Sequence, residues 1–298
     1  MKIISGSSNL ELAKGIAQSL SLDLVPVEIS HFANGEKRVW IQEPIKGQNI
    51  IIVQSFNHPT DENIMEFLLL VDALERGGAR HINAVIPWMG YSLQDKIFRE
   101  GEPIAAKVVA DLVSKAYIKR AFLLDLHNSS TPGFFSIPVQ HLSALENFAT
   151  YVHQHFDLKE SVVASPDFGG LKRSKVFSEK LGVELIKIDK YRDLHSGEII
   201  EMGVNGDVQG KVVILFDDLI NSGSTVVNAS EILKQNGARQ VHFLATHGIF
   251  ADGGLERIQN SQVDSVVVTN SIAHQQHPDK LKIVDVADLF AEALSTWA

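Results

Sequence analysis

The sequence predicts an α/β protein of two domains, each built on a mainly parallel sheet with helices on both faces. Three observations carry this expectation. Short apolar, β-branched runs alternate with segments of helical period along the whole chain. The length of 298 residues exceeds what one hydrophobic core usually organises. Two helix-to-strand junctions also echo each other, Leu74-Glu75-Arg76-Gly77-Gly78-Ala79-Arg80 and Leu233-Lys234-Gln235-Asn236-Gly237-Ala238-Arg239, although glycine after a helix is ordinary cap chemistry.

Taken in order, Leu10, Ala13, Ala17 and Leu20 keep the spacing of one helix. A strand follows at 49–54, and Met65, Leu68, Leu69, Asp72 and Ala73 keep helical spacing apart from the aspartate. Apolar runs at 81–87 and 120–126 are the next strands, and a strand through Val139 gives way to a new helix near Ala144. The domain boundary is expected there, giving domains 1–143 and 144–298. The second domain has strands at 161–165, 184–188, 212–216, 240–246 and 263–269, with a helix over 226–235.

Composition narrows the function. The chain is 45% hydrophobic and 21% charged, as globular proteins are, and no apolar run approaches the roughly 20 residues that span a bilayer. The opening Met1-Lys2-Ile3-Ile4-Ser5-Gly6 is too short an apolar stretch for a signal peptide, so a cytoplasmic location is expected. Without cysteine there is no disulfide, thiolate metal site or cysteine nucleophile. A net charge of −9 argues against a broad nucleic-acid surface, so any phosphate must bind in a local pocket.

Such a pocket is written in Val213-Ile214-Leu215-Phe216-Asp217-Asp218-Leu219-Ile220-Asn221-Ser222-Gly223-Ser224-Thr225. It reads as strand, acidic pair, small-residue loop and helix. Exposed amides at a helix N-terminus attract phosphate, small residues let the backbone approach it, and Ser222, Ser224 and Thr225 add hydroxyl donors. A sugar phosphate suits this order, with its phosphate in the loop and its ribose hydroxyls on Asp217 and Asp218.

This segment resembles the 5-phosphate loop of the phosphoribosyl-diphosphate fold group. Further motifs narrow the resemblance to the ribose-phosphate pyrophosphokinases: Phe32-Ala33-Asn34-Gly35-Glu36, Pro87-Trp88-Met89-Gly90-Tyr91-Ser92-Leu93-Gln94-Asp95, Gly101-Glu102-Pro103-Ile104, Asp125-Leu126-His127 with Gly133-Phe134-Phe135, Ser165-Pro166-Asp167-Phe168-Gly169-Gly170, Asp189-Lys190-Tyr191-Arg192 and Thr246-His247-Gly248. They occur in family order over nearly the whole chain. The resemblance implies two phosphoribosyltransferase-like domains, ATP and ribose 5-phosphate as substrates, a Mg2+ cofactor and assembly into a homo-oligomer.

It also implies roles. ATP would sit at a domain or subunit junction, with Phe32, Asn34 and Glu36 on one wall of the adenine site and Gln94 and Asp95 on the other. Alone, Phe32 reads as core and Asn34-Gly35 as a hairpin turn. Asp125-Leu126-His127 is expected to end a buried strand, so alternation sends Asp125 and His127 to one side and Leu126 to the other. The resemblance gives His127 to magnesium and ATP and Asp167 to magnesium, a hard cation that prefers oxygen ligands and keeps waters. Lys190 and Arg192 would stabilise the charge gathering on the attacked β-phosphorus, from an extended strand or a flexible loop. Asp217, Asp218, Asn221, Ser222, Gly223, Ser224 and Thr225 would hold ribose 5-phosphate. The reaction implied is attack of the anomeric hydroxyl on the β-phosphorus of Mg-ATP, with AMP leaving.

Three segments depart from the family pattern: Leu93 where arginine is usual, Thr131-Pro132 where Ile-Gln is common, and Ser224 where glycine is usual. Two other activities fit part of the sequence. A phosphoribosyltransferase would share the loop but not the ATP-site motifs, and a non-catalytic regulatory homologue would fit Leu93 but not the retained Lys190 and Arg192.

Overall fold

The computed structural model describes residues 1–166, 169–192 and 199–297, and for 189–192 and 199–202 the backbone alone. Two compact units emerge. One comprises 1–143, 271–273 and 285–298, and the other 144–270 and 274–284. The sequence reading gave 144–298 to one domain, whereas packing assigns the last helix to the first unit.

In the first unit, β1 (Lys2–Ser5), α1 (Leu10–Leu20), β2 (Val27–His31), β3 (Lys37–Ile41), β4 (Asn49–Val53), α2 (Thr60–Arg76), β5 (His81–Ile86), α3 (Ala105–Lys115), β6 (Arg120–Leu124) and β7 (Val139–Leu142) follow one another. Five strands form a sheet in the order β1-β4-β5-β6-β7, every pair parallel. β4 is buried from Ile50 to Val53 without alternation, as a strand covered on both faces must be. Ile50 and Ile52 join a core with Phe67, Leu70 and Val71 of α2 and Val109 and Val113 of α3. Ile51 and Val53 are equally buried, and strand alternation turns them to the opposite face.

The spacing that reveals α2 lies on its outer side. Met65 is 54% exposed and Asp72 is exposed, while Ile64, Phe67, Leu70, Val71 and Leu74 are buried. The last helix of the chain, α8 in the chain-order numbering (Ala287–Ser295), lies against α1. Gly15 permits the approach, because a Cβ there would stand 2.8 Å from Cβ of Ala287. β2 and β3 make a separate antiparallel hairpin with Lys37 opposite His31 beside its turn.

The second unit runs α4 (Leu145–His155), β8 (Ser161–Ser165), α5 (Leu171–Leu181), β9 (Leu185–Arg192), β10 (Ile199–Asn205), β11 (Val212–Ile220), α6 (Ser224–Gln235), β12 (Gln240–Gly248), α7 (Gly254–Gln259), β13 (Ser265–Thr269) and β14 (Leu281–Val284). Its sheet has the order β10-β9-β8-β11-β12-β13-β14 and is parallel except for the β10-β9 edge pair. Phe216 stacks on Phe177 with ring centroids 4.1 Å apart and meets Phe148 edge-on at 5.6 Å. These contacts anchor β11 immediately before its acidic pair.

Several expected strand ends move, and β9 runs on from Ile188 to Arg192. β11 continues to Ile220, so Asp217 and Asp218 lie within the strand, with Asp217 in register with Ala245 of β12. β6 stops at Leu124, so strand alternation does not govern Asp125-Leu126-His127, and Asp125 takes a left-handed φ of 34°.

Candidate functional site

The acidic pair and the loop after it form the most developed site. Asp217 and Asp218 retain only 16% and 4% side-chain exposure, and two buried carboxylates side by side cost desolvation and mutual repulsion. Arg173 offsets that cost. Its Nη1 donates to Oδ1 of Asp217 at 2.7 Å and to Oδ1 of Asp218 at 2.9 Å, and the Asp218 amide donates to Oδ1 of Asp217 at 2.9 Å. Burial first, and the Asp218 charge second, still push the Asp217 carboxyl up to about 7, against the pull of Arg173.

Sequence reasoning missed Arg173, which stands in the first turn of α5, directly after the Phe168-Gly169-Gly170 motif. A signal was present. Lys172 and Arg173 place positive charge at a helix N-terminus, where the dipole disfavours it, and such a conflict asks for a partner.

Beyond β11, α6 begins at Ser224, two residues earlier than expected, so Ser224 and Thr225 occupy its first turn. Gly223 is the N-cap, with a left-handed φ of 79° that glycine adopts at no steric cost. No side chain caps this end, which leaves first-turn amides directed at the loop. Ser222 Oγ and Ser224 Oγ are 3.1 Å apart, and Asn221, Ser224 and Thr225 are exposed. The guanidinium of Arg257 donates through Nη1 to the Ser222 carbonyl and through Nη2 to that of Asp252 at 3.2 Å, and the Ala251 amide donates to the Asn221 carbonyl at 2.9 Å. The loop is thus braced by the connection between β12 and α7. Arg257 too was absent from the sequence reading.

In the first unit, Phe32 is 53% exposed rather than core, and Asn34 and Glu36 are exposed beside it. The turn is ordered by its own backbone: the Phe32 amide donates to the Glu36 carbonyl at 2.8 Å, and the Gly35 amide to the Phe32 carbonyl at 2.9 Å. The Glu36 amide donates to Oδ1 of Asn34 at 3.2 Å. The hairpin turn and the exposed aromatic are therefore one feature.

Gln94 is exposed, Leu93 and Asp95 are half-buried, and Asn128 Nδ2 donates to Oδ2 of Asp95 at 2.5 Å. That bond joins the Gln94-Asp95 wall to the segment carrying His127, which is itself exposed. Thr131-Pro132 opens a short 3-10 turn over Thr131–Phe134. Lys190 and Arg192 lie on the extended backbone of β9, opposite Met202 and Ile199 of β10, and their side chains are outside the description. Asp167 lies outside the described residues. Among the described residues no three histidine or acidic side chains gather as a metal cage, and no helix is long and apolar enough to cross a membrane.

Comparison with known proteins bears on the whole chain. Residues 1–116 match the family model described as the N-terminal domain of ribose phosphate pyrophosphokinase, and 192–296 match that of the phosphoribosyl synthetase-associated domain. A ribose-phosphate pyrophosphokinase of Fusobacterium nucleatum is 41% identical over 297 residues, covering 99% of this chain and 94% of the relative. Its counterpart in Thermotoga maritima gives the same identity and coverage, 41% over 99% and 94%. The crystal structure of phosphoribosylpyrophosphate synthetase from Mycobacterium smegmatis superposes with a TM-score of 0.91 at 34% identity, covering 99% of this chain and 98% of that one.

Proposed function

The chain belongs to the ribose-phosphate pyrophosphokinase family, and from that premise we propose that it transfers the β,γ-diphosphoryl group of ATP to the anomeric hydroxyl of ribose 5-phosphate. The observation that carries the reading is the buried Asp217-Asp218 pair leading into the open N-terminus of α6. Amides of the Asn221 to Thr225 loop receive the 5-phosphate, with hydroxyls of Ser222, Ser224 and Thr225 alongside. The acidic pair accepts hydrogen bonds from the ribose hydroxyls and fixes the sugar's orientation, so that binding supplies part of the barrier reduction.

ATP belongs to the first unit's surfaces. Phe32 offers a flat face to the base, with Asn34, Glu36, Gln94 and Asp95 as polar partners for its edge. In the transfer, the anomeric oxygen forms its bond to the β-phosphorus while the bond from that phosphorus to the oxygen bridging to the α-phosphate breaks. AMP departs with the electron pair, and the hydroxyl proton passes to water. Lys190 and Arg192 supply positive charge to the equatorial oxygens, the arginine as a fork and the lysine as a mobile point charge.

Magnesium is the cofactor in this reading: His127 and Asp167 would hold it, and so few protein ligands suit a hard cation that keeps most of its waters. When bound, it neutralises triphosphate charge. A cytoplasmic homo-oligomer completes the proposal. The family resemblance is its support, and sedimentation at a monomer's mass would remove the oligomer. The activity is tested by AMP release from ATP, which should require both magnesium and ribose 5-phosphate.

A further inference from the structure

Glu66 of α2 is a charged side chain with no exposure at all, and every donor around it comes from another element. Its carboxylate accepts from the Ser7 amide at 2.6 Å, from Ser7 Oγ at 2.8 Å, from Gln54 Nε2 at 3.0 Å and from Lys37 Nζ at 2.7 Å. Ser7 lies in the loop after β1, Gln54 directly follows β4, and Lys37 opens β3. Gly6 makes room for the cluster, since a Cβ there would stand 2.2 Å from Gln54 Oε1.

Lys37 is the unexpected member. Its side chain is only 10% exposed, and Ser7 and Gln54 already hydrogen-bond the carboxylate without it. Lys37 offsets part of the cost of burying the Glu66 carboxylate, as a cation beside a buried charge must. Its place gives it a second role. Lys37 is adjacent in sequence to Glu36 and closes the hairpin ladder against His31, immediately below the Phe32 to Glu36 turn. No ladder joins that hairpin to the five-stranded sheet, and it packs on the core through Val27, Val39 and Ile41. Directional bonds tie the base of the hairpin to β1: the Val25 amide donates to the Ile3 carbonyl at 2.8 Å and Lys2 Nζ to Glu43 Oε2 at 2.7 Å. At the turn end, the charge-assisted hydrogen bond of 2.7 Å from Lys37 to the buried carboxylate does the same.

We infer that Lys37 and Glu66 are positioning residues for nucleotide binding, clamping the hairpin so that its turn presents Phe32, Asn34 and Glu36 in one orientation. The inference rests on the reading of that turn as an adenine wall. Three measurements on the full-length protein test it: Mg-ATP affinity by titration calorimetry, hydrogen exchange of 27–41, and steady-state kinetics. Lys37→Met should retain cooperative unfolding, speed exchange across the hairpin, and weaken Mg-ATP about tenfold, with kcat and the KM for ribose 5-phosphate within about twofold of wild type. Lys37→Arg, which keeps the charge, should recover most of the affinity.

If Lys37→Met does not fold, Glu66→Gln makes the same test, since it keeps shape and an acceptor while removing the charge. Unchanged Mg-ATP affinity in a folded variant overturns the inference, as does equal weakening of ATP and ribose 5-phosphate. A wild type that binds Mg-ATP but releases no AMP would refute the proposed activity instead, and affinity and exchange would still decide the clamp.

Discussion

Asp217 holds a proton near neutrality because burial and the Asp218 charge both disfavour its ionised form, and this has a consequence for stability. Its carboxyl titrates near 3.8 when unfolded and near 7 when folded, so between those values the native state binds the extra proton. Ionisation at Asp217 therefore lowers stability as pH rises from about 4 through about 7. In substrate-free protein, Asp217→Asn should flatten the fall of the urea midpoint across that window. Parallel slopes for variant and wild type would show that the residue does not titrate there. Leu93 poses a second residue-scale question, since it is half-buried and, if it faces the proposed nucleotide site, offers no hydrogen bond there. Leu93→Arg should lower the KM for ATP by roughly tenfold, the equivalent of about 1.4 kcal/mol. An unchanged KM and nucleotide preference would mean that position 93 does not face the nucleotide.

At the scale of elements, the junction between β11 and α6 is the proposed ribose 5-phosphate site, and Gly223 is where its conformation is least replaceable. A side chain there meets a left-handed φ of 79°, Ile258 Cδ1 at 3.0 Å and the Gly254 carbonyl oxygen at 3.2 Å. Gly223→Val should raise the KM for ribose 5-phosphate far more than that for ATP, with about 1 kcal/mol or more of stability lost to backbone strain. Equal weakening of both substrates would indicate general loosening instead. This junction was legible in the sequence because strand, acidic pair, small residues and helix are consecutive. Arg173 and Arg257 were not, because their partners lie far along the chain and only the fold brings them together. The turn between β2 and β3 was legible at Asn34-Gly35, but the two strands were not: a hairpin lying on the surface of a core buries only part of each strand, so it lacks the continuous apolar run that marks the central strands.

For the whole molecule, parallel α/β architecture followed from the alternation of buried strands and helices, which is a local signal repeated many times. The return of α8 to the first unit was invisible for the opposite reason. Ala287–Ser295 has an ordinary amphipathic pattern, and nothing in such a pattern says which of two cores it covers. Glu66 shows the same limit at the clamp, since a glutamate inside a helical stretch reads as solvated until its four donors are seen together. The central claim is diphosphoryl transfer, and phosphorus NMR of the purified protein with ATP, magnesium and ribose 5-phosphate tests it most directly. The account predicts AMP and a sugar bearing a diphosphate at its anomeric carbon in one-to-one ratio, with none formed when ribose 5-phosphate is omitted. Formation of ADP with a singly phosphorylated anomeric carbon, or ATP left intact, would contradict it.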